Sequence, residues 1–263
     1  MKVFAIGASR NIGYYSALRL LQEGHHVVYL LRKTSVFDSN EEMKPFIESG
    51  LAELVQGDAL SWDDGTRAWA QATLDGPVDV VLFSLGLMAS ISIFPLGFVL
   101  DPPNACTNAL LNIFATFPNT TSTTQPRFVI ISAFGSTKAS KASVPFLMKP
   151  LYYMLKGPHA DKTGMEEVCA YSAGWPDEHK ATKEILPAGW EGRLKHGRGW
   201  LKHAVVIRPG IFTDGEVTGK YRVGDDQMRG VYMISRKDIA HFIVTDLLPN
   251  WEKYGGRGIS IAN

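Results

Sequence analysis

The chain contains 263 residues, of which 27 are basic, 26 are acidic and 45% are hydrophobic. This length suits one α/β domain with a full core, or that domain plus a small lobe. The balanced charge and the lack of a basic stripe argue against nucleic acid as a partner. Because Cys106 and Cys169 lie far apart without metal-ligand spacing, we expect no disulfide scaffold and no metal site, and we favour a reducing compartment.

The sequence predicts a cytoplasmic protein without a membrane partner. The first predicted strand begins at residue 2, which leaves no room for a signal or transit peptide. The longest apolar stretch, residues 78–100, is interrupted by Gly86, Pro95 and Gly97. It therefore predicts a buried strand and a loop rather than a membrane span.

The chain opens with a strand, a glycine-bounded turn and the start of a helix. The strand is expected at residues 2–6, and the turn covers residues 7–13. A helix starting there would direct its unpaired N–H groups and its positive dipole end at the turn, which suits the pyrophosphate of a dinucleotide. Glycine turns also arise for backbone reasons without a ligand, so the turn alone does not establish a site. The predicted contacts are Gly7, Ser9, Arg10, Asn11, Ile12 and Gly13.

A second predicted strand, residues 26–31, ends in Arg32 and Lys33. A dinucleotide fold places the adenosine ribose at this position, where an acidic residue would bind a free 2′-hydroxyl. Two cations suit a 2′-phosphate instead, and Arg10 can approach the same group. We therefore predict NADP(H) rather than NAD(H) as the cofactor. The alternative is that Arg32 and Lys33 are ordinary solvated charges.

Strands and helices alternate through the rest of the chain in the order of a Rossmann-like, doubly wound parallel sheet, so the predicted fold class is α/β. Helices are expected at 41–49 and at 101–117, the second with Pro102 and Pro103 in its first turn. Further strands are expected at 52–55, 78–84, 127–132, 203–208 and 258–261. We treat residues 1–263 as a single nucleotide-binding domain, with an insertion at about 172–202 and a small C-terminal substrate lobe at about 211–257.

Functional residues of such sheets follow the carboxyl ends of the strands. Polar, small or proline residues occupy these positions in the sequence, and Asp58 among them can accept a hydrogen bond from the adenine amino group. Each can equally be a helix cap or a turn residue. The candidates are Asp58, Ala59, Ser84, Leu85, Gly86, Ser132 and Pro209.

Three segments together resemble a known family. They are the turn at 7–13, the run at 205–215 with Thr218 and Gly219 after it, and the run at 234–240. They are similar to the atypical short-chain dehydrogenases/reductases, in particular to the NAD(P)H-binding subgroup that contains biliverdin-IXβ reductase, and NmrA-like proteins share parts of them. Asn11 stands where the middle glycine of the family is usual, and asparagine tolerates a left-handed backbone.

The resemblance implies catalytic residues in two alternative registers. In both, Ser132 matches the family serine, whose hydroxyl would hydrogen-bond a substrate carbonyl. In the first, Tyr152 and Lys156 form the family's tyrosine–lysine pair. In the second, which we favour, Lys162 takes the lysine position, Pro158 replaces the tyrosine, and the proton comes from water or from His159.

Two of these residues also have ordinary structural alternatives. Tyr152 can instead belong to an aromatic face that packs on the core or lines a pocket. His159 can be a cap residue on the surface at a helix start.

The function implied is NADPH-dependent reduction of a conjugated small molecule, namely a flavin, a quinone or a tetrapyrrole, by a monomer or weak homo-oligomer. The segments 87–100, 134–155 and 172–202 are expected to form apolar walls around the substrate. Two alternatives remain: an NmrA-like NADP(H) sensor that acts through a protein partner, and a non-redox biosynthetic enzyme on the same fold. The aromatic wall residues would be Phe94, Phe98, Phe146, Tyr152, Trp175 and Trp190.

Overall fold

The computed structural model describes residues 1–86, 90–92, 97–117, 125–176 and 180–263, with only the backbone described at 90–92. The predicted wall residue Phe94 lies outside these ranges. Within them, no helix is long and apolar enough to cross a membrane.

Eight strands form the central sheet, and two short pairs lie beside it. The twelve strands are β1 (Lys2–Ile6), β2 (His26–Leu31), β3 (Ala52–Gln56), β4 (Val80–Phe83), β5 (Ser90–Ser92), β6 (Gly97–Val99), β7 (Arg127–Ile131), β8 (Ala204–Pro209), β9 (Ile211–Thr213), β10 (Arg222–Gly224), β11 (Met233–Ser235) and β12 (Arg257–Ala262). The order in the sheet is β10-β12-β8-β7-β4-β1-β2-β3. All neighbours are parallel except β10, which pairs antiparallel with β12. The α/β prediction is confirmed.

Helices cover both faces of this sheet. They are α1 (Asn11–Gln22), α2 (Lys44–Glu48), α3 (Trp62–Ala72), α4 (Ala105–Thr116), α5 (Lys138–Ser143), α6 (Lys149–Met154), α7 (Lys156–Ala173), α8 (Arg236–Phe242) and α9 (Trp251–Tyr254). Buried residues of α1 and α8 belong to the core on one face, and those of α3, α4 and α7 to the core on the other. The chain leaves β1 toward β2 on one side and later reaches β4 on the other, so a crevice opens where the strand order reverses.

The helices expected at 41–49 and 101–117 are shorter than predicted. The amide oxygen of Asn40 accepts from the backbone N–H groups of Glu42 and Met43, at 3.1 Å each, and holds this segment in a turn before α2. Pro102 and Pro103 precede α4 rather than standing in its first turn. Helix α4 is capped from a distance, because the Asp161 carboxylate accepts from the N–H groups of Cys106 and Thr107 at 2.8 and 2.9 Å.

The segment predicted as an insertion follows almost directly on α7, which continues to Ala173. Its described part is irregular apart from a short 3₁₀ helix, Trp190–Arg193. Its buried side chains extend the core under α4 and α7, and they include Leu186, Trp190, Leu194 and Leu201. This segment therefore covers a helical face of the sheet, and near the start of α4 the Asn104 side chain donates to its Ile185 carbonyl oxygen at 3.2 Å.

Candidate functional site

A cavity of about 1150 Å³ lies at the carboxyl ends of the central strands. It runs from the residues after β2 and β3 to those after β7 and β8. Nearly all the candidate residues line it: Gly7, Ser9, Arg10, Asn11, Ile12, Arg32, Lys33, Asp58, Ala59, Ser84, Leu85, Gly86, Ser132, Tyr152, His159, Lys162 and Pro209. Gly13 does not. Among the described residues no group of three or more His, Cys, Asp or Glu side chains is placed to hold a metal ion.

The turn after β1 depends on backbone conformations that few residues adopt. Gly7 has φ +76°, and a Cβ there would lie 2.5 Å from the Leu85 nitrogen. Asn11 has φ +58°, the left-handed conformation that asparagine tolerates. A Cβ on Gly13 would lie 2.8 Å from the Gly7 carbonyl oxygen, so Gly13 lets α1 pack closely against the turn.

Helix α1 begins at Asn11 without a side-chain cap from Arg10. Because the first N–H groups of a helix have no partner within it, its positive dipole end is available to an anion in the cavity. The turn and the helix start together bring backbone N–H donors to the cavity.

Three exposed cations, Arg10, Arg32 and Lys33, border one end of the cavity. Within the part of the chain that the structure describes, none of them forms an ion pair with a carboxylate. Ser35 lines the same end, and the sequence analysis missed it. Its hydroxyl, two residues after the basic pair, was the signal that could have identified it.

Asp58 has the turn role that the sequence offered as an alternative, and it also lies at the cavity. Its Oδ1 atom accepts from the Leu60 N–H at 2.9 Å, and its own N–H donates to the Asp64 carboxylate at 2.9 Å. These bonds fix the turn between β3 and α3. The residue also lines the cavity beside Gly57 and Ala59.

Lys162 lies near the opposite end of the cavity. It projects from α7, and its Nζ atom donates to the carbonyl oxygens of Leu85 and Ile131, at 2.9 Å each. These carbonyls follow β4 and close β7, so the ammonium group is held between the carboxyl ends of two neighbouring strands. An ammonium group has three protons, and the third faces the Met165 sulfur, a weak acceptor, at 3.9 Å.

Ser132 lines the cavity, but its hydroxyl donates to the Glu166 carboxylate. Glu166 also accepts from the Ser136 hydroxyl at 2.6 Å and from Nε and Nη2 of Arg208 at 2.9 and 2.7 Å. Burial opposes the charge of Arg208, but Glu166 and Asp226 raise its pKa above the ordinary value. The hydroxyl proton that we expected to face a substrate carbonyl is therefore given to Glu166.

The sequence analysis missed this buried network of Glu166, Arg208 and Asp226. Arg208 was a visible signal, because a charge stands at the end of the otherwise apolar strand β8. A buried arginine requires carboxylate partners. The sequence does not say which of the 26 acidic residues supply them.

Tyr152 is on α6, whereas Lys156 begins α7 after a break at Leu155. The two side chains therefore do not share one helical face. Lys156 is exposed and does not line the cavity. The Tyr152 hydroxyl is buried and has no hydrogen-bond partner among the described residues. Burial raises the pKa of Tyr152 to about 12, which is opposite to the effect of a neighbouring lysine.

His159 is buried in α7 with its ring 5.3 Å from that of Tyr152. The alternative of a surface cap is therefore wrong. Burial, with a smaller contribution from Lys141, lowers the pKa of His159 to about 4. At neutral pH the imidazole is uncharged.

Apolar side chains surround this end of the cavity: Phe98, Leu100, Phe134, Leu151, Leu155, Ile211 and Phe212. Two predicted wall residues lie elsewhere, because Phe146 is 80% exposed and Trp190 is buried in the core against Tyr171. Trp175 also packs against that core. None of the described residues of 172–202 lines the cavity, which corrects that part of the wall prediction.

No family model matches this chain. Reductase pytE of Aspergillus terreus is 29% identical to it over 178 residues, which span 64% of this chain and 60% of that protein. The chain thus matches about three fifths of the length of this curated relative.

Solved structures match almost the whole chain at low identity. The anaerobillin reductase ChuY from Escherichia coli O157:H7 has a TM-score of 0.60 at 14% identity, covering 99% of this chain and 96% of ChuY. A short-chain dehydrogenase/reductase from Veillonella parvula, solved in complex with NADP, has a TM-score of 0.60 at 12% identity, with coverage of 99% and 94%. The oxidoreductase ylbE from Lactococcus lactis has a TM-score of 0.62 at 15% identity, with coverage of 100% and 91%. The chain therefore has the fold of these oxidoreductases, among them a short-chain dehydrogenase/reductase, and the resemblance inferred from its sequence is confirmed at the level of the fold.

Proposed function

We propose that this protein is an NADPH-dependent oxidoreductase that reduces a conjugated acceptor such as a flavin, a tetrapyrrole or a quinone. One observation carries the proposal: a single cavity joins the exposed cations after β2, the glycine turn after β1 and the apolar end beside Lys162. A dinucleotide has this order of parts. The reductase from Aspergillus terreus and the NADP complex of the Veillonella protein support the same assignment.

The residues along the cavity fit the parts of NADPH in turn. Arg10, Arg32 and Lys33 would bind the 2′-phosphate, and the N-terminus of α1 would bind the pyrophosphate. Lys162 would donate to the nicotinamide ribose in place of its long contact with the Met165 sulfur. Bound there, the cofactor supplies hydride. The nicotinamide ring would rest against Pro209 and Ser132, next to the apolar walls.

The acceptor end of the cavity is lined by apolar side chains, and its two candidate proton donors are weak acids at neutral pH or uncharged. His159 is neutral at pH 7, and the pKa of Tyr152 is raised to about 12. An isolated carbonyl needs a proton donor in its transition state, whereas a conjugated ring system spreads the added charge over several atoms. The lining therefore favours a conjugated acceptor, whose proton can come from water.

The test is a scan of flavin, biliverdin and quinone acceptors for NADPH oxidation, which is measured as the loss of absorbance at the nicotinamide band. The proposal expects saturable turnover with at least one of these acceptors and far less with simple ketones. Turnover with simple ketones alone would contradict the choice of substrate class.

A second candidate is an NADP(H)-binding regulator without turnover. It is favoured because neither candidate proton donor is ready to protonate a substrate: the Ser132 hydroxyl donates to Glu166, and His159 is uncharged. Tight nucleotide binding without turnover of any acceptor would support it, together with a protein partner whose affinity changes with the redox state of the nucleotide.

A further inference from the structure

The buried network behind Ser132 fixes which hydrogen-bonding role this residue presents to a substrate. Glu166 is 2% exposed and receives two hydrogen bonds from the Arg208 guanidinium. Because arginine is always protonated, this pairing keeps Glu166 as a carboxylate, which can only accept hydrogen bonds. The short contact between Glu166 and the Ser132 hydroxyl must therefore use the serine proton.

A serine hydroxyl has one proton and two lone pairs. Ser132 lines the cavity although it is only 1% exposed. With its proton held by Glu166, its oxygen can offer only lone pairs to a group that contacts it there. A carbonyl oxygen placed against it would meet another acceptor and would lose its own hydrogen bonds to water, at an energetic cost. An N–H group placed there would be satisfied.

We infer that the Ser132 site selects acceptors that present an N–H donor, and that Glu166 is the residue that positions it for this choice. The inference rests on the proposed function and narrows its substrate class. Heterocycles with an imide, lactam or pyrrole N–H, such as flavins and linear tetrapyrroles, fit the site. Quinones carry only acceptors at their reactive ends and do not.

The arrangement around Arg208 is built into the sheet. Arg208 crosses the neighbouring strand β12 at Gly258, where a Cβ would collide with the guanidinium group. On its other side Arg208 pairs with Asp226, which follows β10. The guanidinium group is thus held between the carboxylates of Glu166 and Asp226. Because Glu166 is fixed in this way, the orientation of the Ser132 hydroxyl is set before a ligand enters.

The test uses two flavins that differ in one donor. Lumiflavin has a single N–H group, at N3, and 3-methyllumiflavin replaces it with a methyl group. Their dissociation constants are measured by flavin fluorescence with the protein saturated with NADP⁺, so the readout does not depend on turnover. The wild-type protein should bind lumiflavin at least about tenfold more tightly, the scale of one hydrogen bond to a buried partner.

Two serine variants separate this role from a steric effect of the methyl group. Ser132→Ala should bring the ratio of the two dissociation constants close to one. Ser136→Ala is the matched control, because Ser136 also donates to Glu166 but does not line the cavity, and it should keep the wild-type ratio. Neither change removes the ion pair with Arg208.

Glu166→Gln tests the positioning residue itself. The new amide can donate to the Ser132 oxygen and release the serine proton toward the cavity. Relative to lumiflavin, the Kd and KM values of 3-methyllumiflavin and of menadione should then fall. The Kd of NADP⁺ should stay within about twofold of the wild-type value. The two serine variants still decide the matter if this protein does not fold.

Equal binding of the two flavins to the wild-type protein would overturn the inference and leave the proposed function standing. A preference that persists unchanged in Ser132→Ala would overturn it as well. If neither flavin binds and neither is reduced, the proposed function fails for this class and the inference fails with it.

Discussion

The buried imidazole of His159 makes a measurable contribution to the pH dependence of stability. Its pKa lies near 6.5 in an unfolded chain and near 4 in the folded protein. The unfolded state therefore takes up a proton first as the pH falls. The contribution to the free energy of unfolding is complete above pH 6.5 and is lost between pH 6.5 and pH 4. A shift of this size corresponds to about 3 kcal/mol.

The assay is urea denaturation of the wild-type protein and of His159→Asn at intervals from pH 8 to pH 4. Asparagine cannot titrate, so the difference between the two free energies of unfolding should change by about 3 kcal/mol across this range. The substitution also alters packing, but that effect does not depend on pH. His203→Asn, at an exposed position, controls for the loss of an imidazole. Parallel profiles for the wild-type protein and His159→Asn would refute the reasoning.

The same pKa bears on catalysis. At pH 7 about one His159 side chain in a thousand is protonated, a fraction that follows from its pKa near 4. Turnover should therefore show no dependence on the titration of this group between pH 6 and pH 8. A fall in kcat with an apparent pKa near 6.5 that disappears in His159→Asn would show that the imidazolium donates the proton after all.

Three further predictions concern the nucleotide and the acceptor ends of the cavity. Replacing Arg32 and Lys33 with alanine should weaken NADPH by roughly 10- to 100-fold and NADH by less than about threefold in calorimetric titrations, because only NADPH carries the 2′-phosphate; an equal loss for both nucleotides would contradict the assignment. Tyr152→Phe should keep turnover within about threefold, since its hydroxyl has no partner among the described residues, and a hundredfold fall in kcat would restore it as the acid. Gly7→Ala should abolish nucleotide binding or folding. Gly24→Ala, with φ +79° and no atom within 4 Å of its Cβ, should lower the free energy of unfolding by only about 1–2 kcal/mol in denaturation experiments. Equal losses of stability in the two variants would contradict the argument from the close approach at Gly7.

The parts of the fold that follow from local pattern were predictable. The continuous apolar runs gave β1 and β2 with their observed bounds, because strands buried on both faces need no alternation. The left-handed conformation of Asn11 followed from the residue type and the position in the turn. Contacts made over long sequence separations set the rest. Helix α4 begins where Asp161, more than fifty residues away, caps it.

Hydrogen bonds explain two of the segments that resemble the family, Thr218 with Gly219 and the run at 234–240. The Asp238 carboxylate accepts from the N–H groups of Thr218 and Gly219 at 2.8 and 2.9 Å, and from the Ser235 hydroxyl at 3.1 Å. These hydrogen bonds join the start of α8 to the loop after β9. Part of the resemblance therefore reflects how these two segments are held together rather than contact with a ligand.

The acceptor end was harder to predict, because its properties depend on burial. The Tyr-x-x-x-Lys spacing is present at Tyr152 and Lys156, but the helix breaks between them. Local sequence does not reveal that His159 is uncharged or that Ser132 donates to Glu166. Both depend on residues brought together by the packing of α7 against the sheet.

The central claim is that the cavity binds a dinucleotide with a 2′-phosphate. Calorimetric titration of the wild-type protein with NADPH and with NADH tests it most directly. The account predicts saturable binding of one nucleotide per chain, with NADPH at least tenfold tighter than NADH. Absence of binding for both nucleotides would contradict the assignment of the phosphate turn, and with it the proposed function.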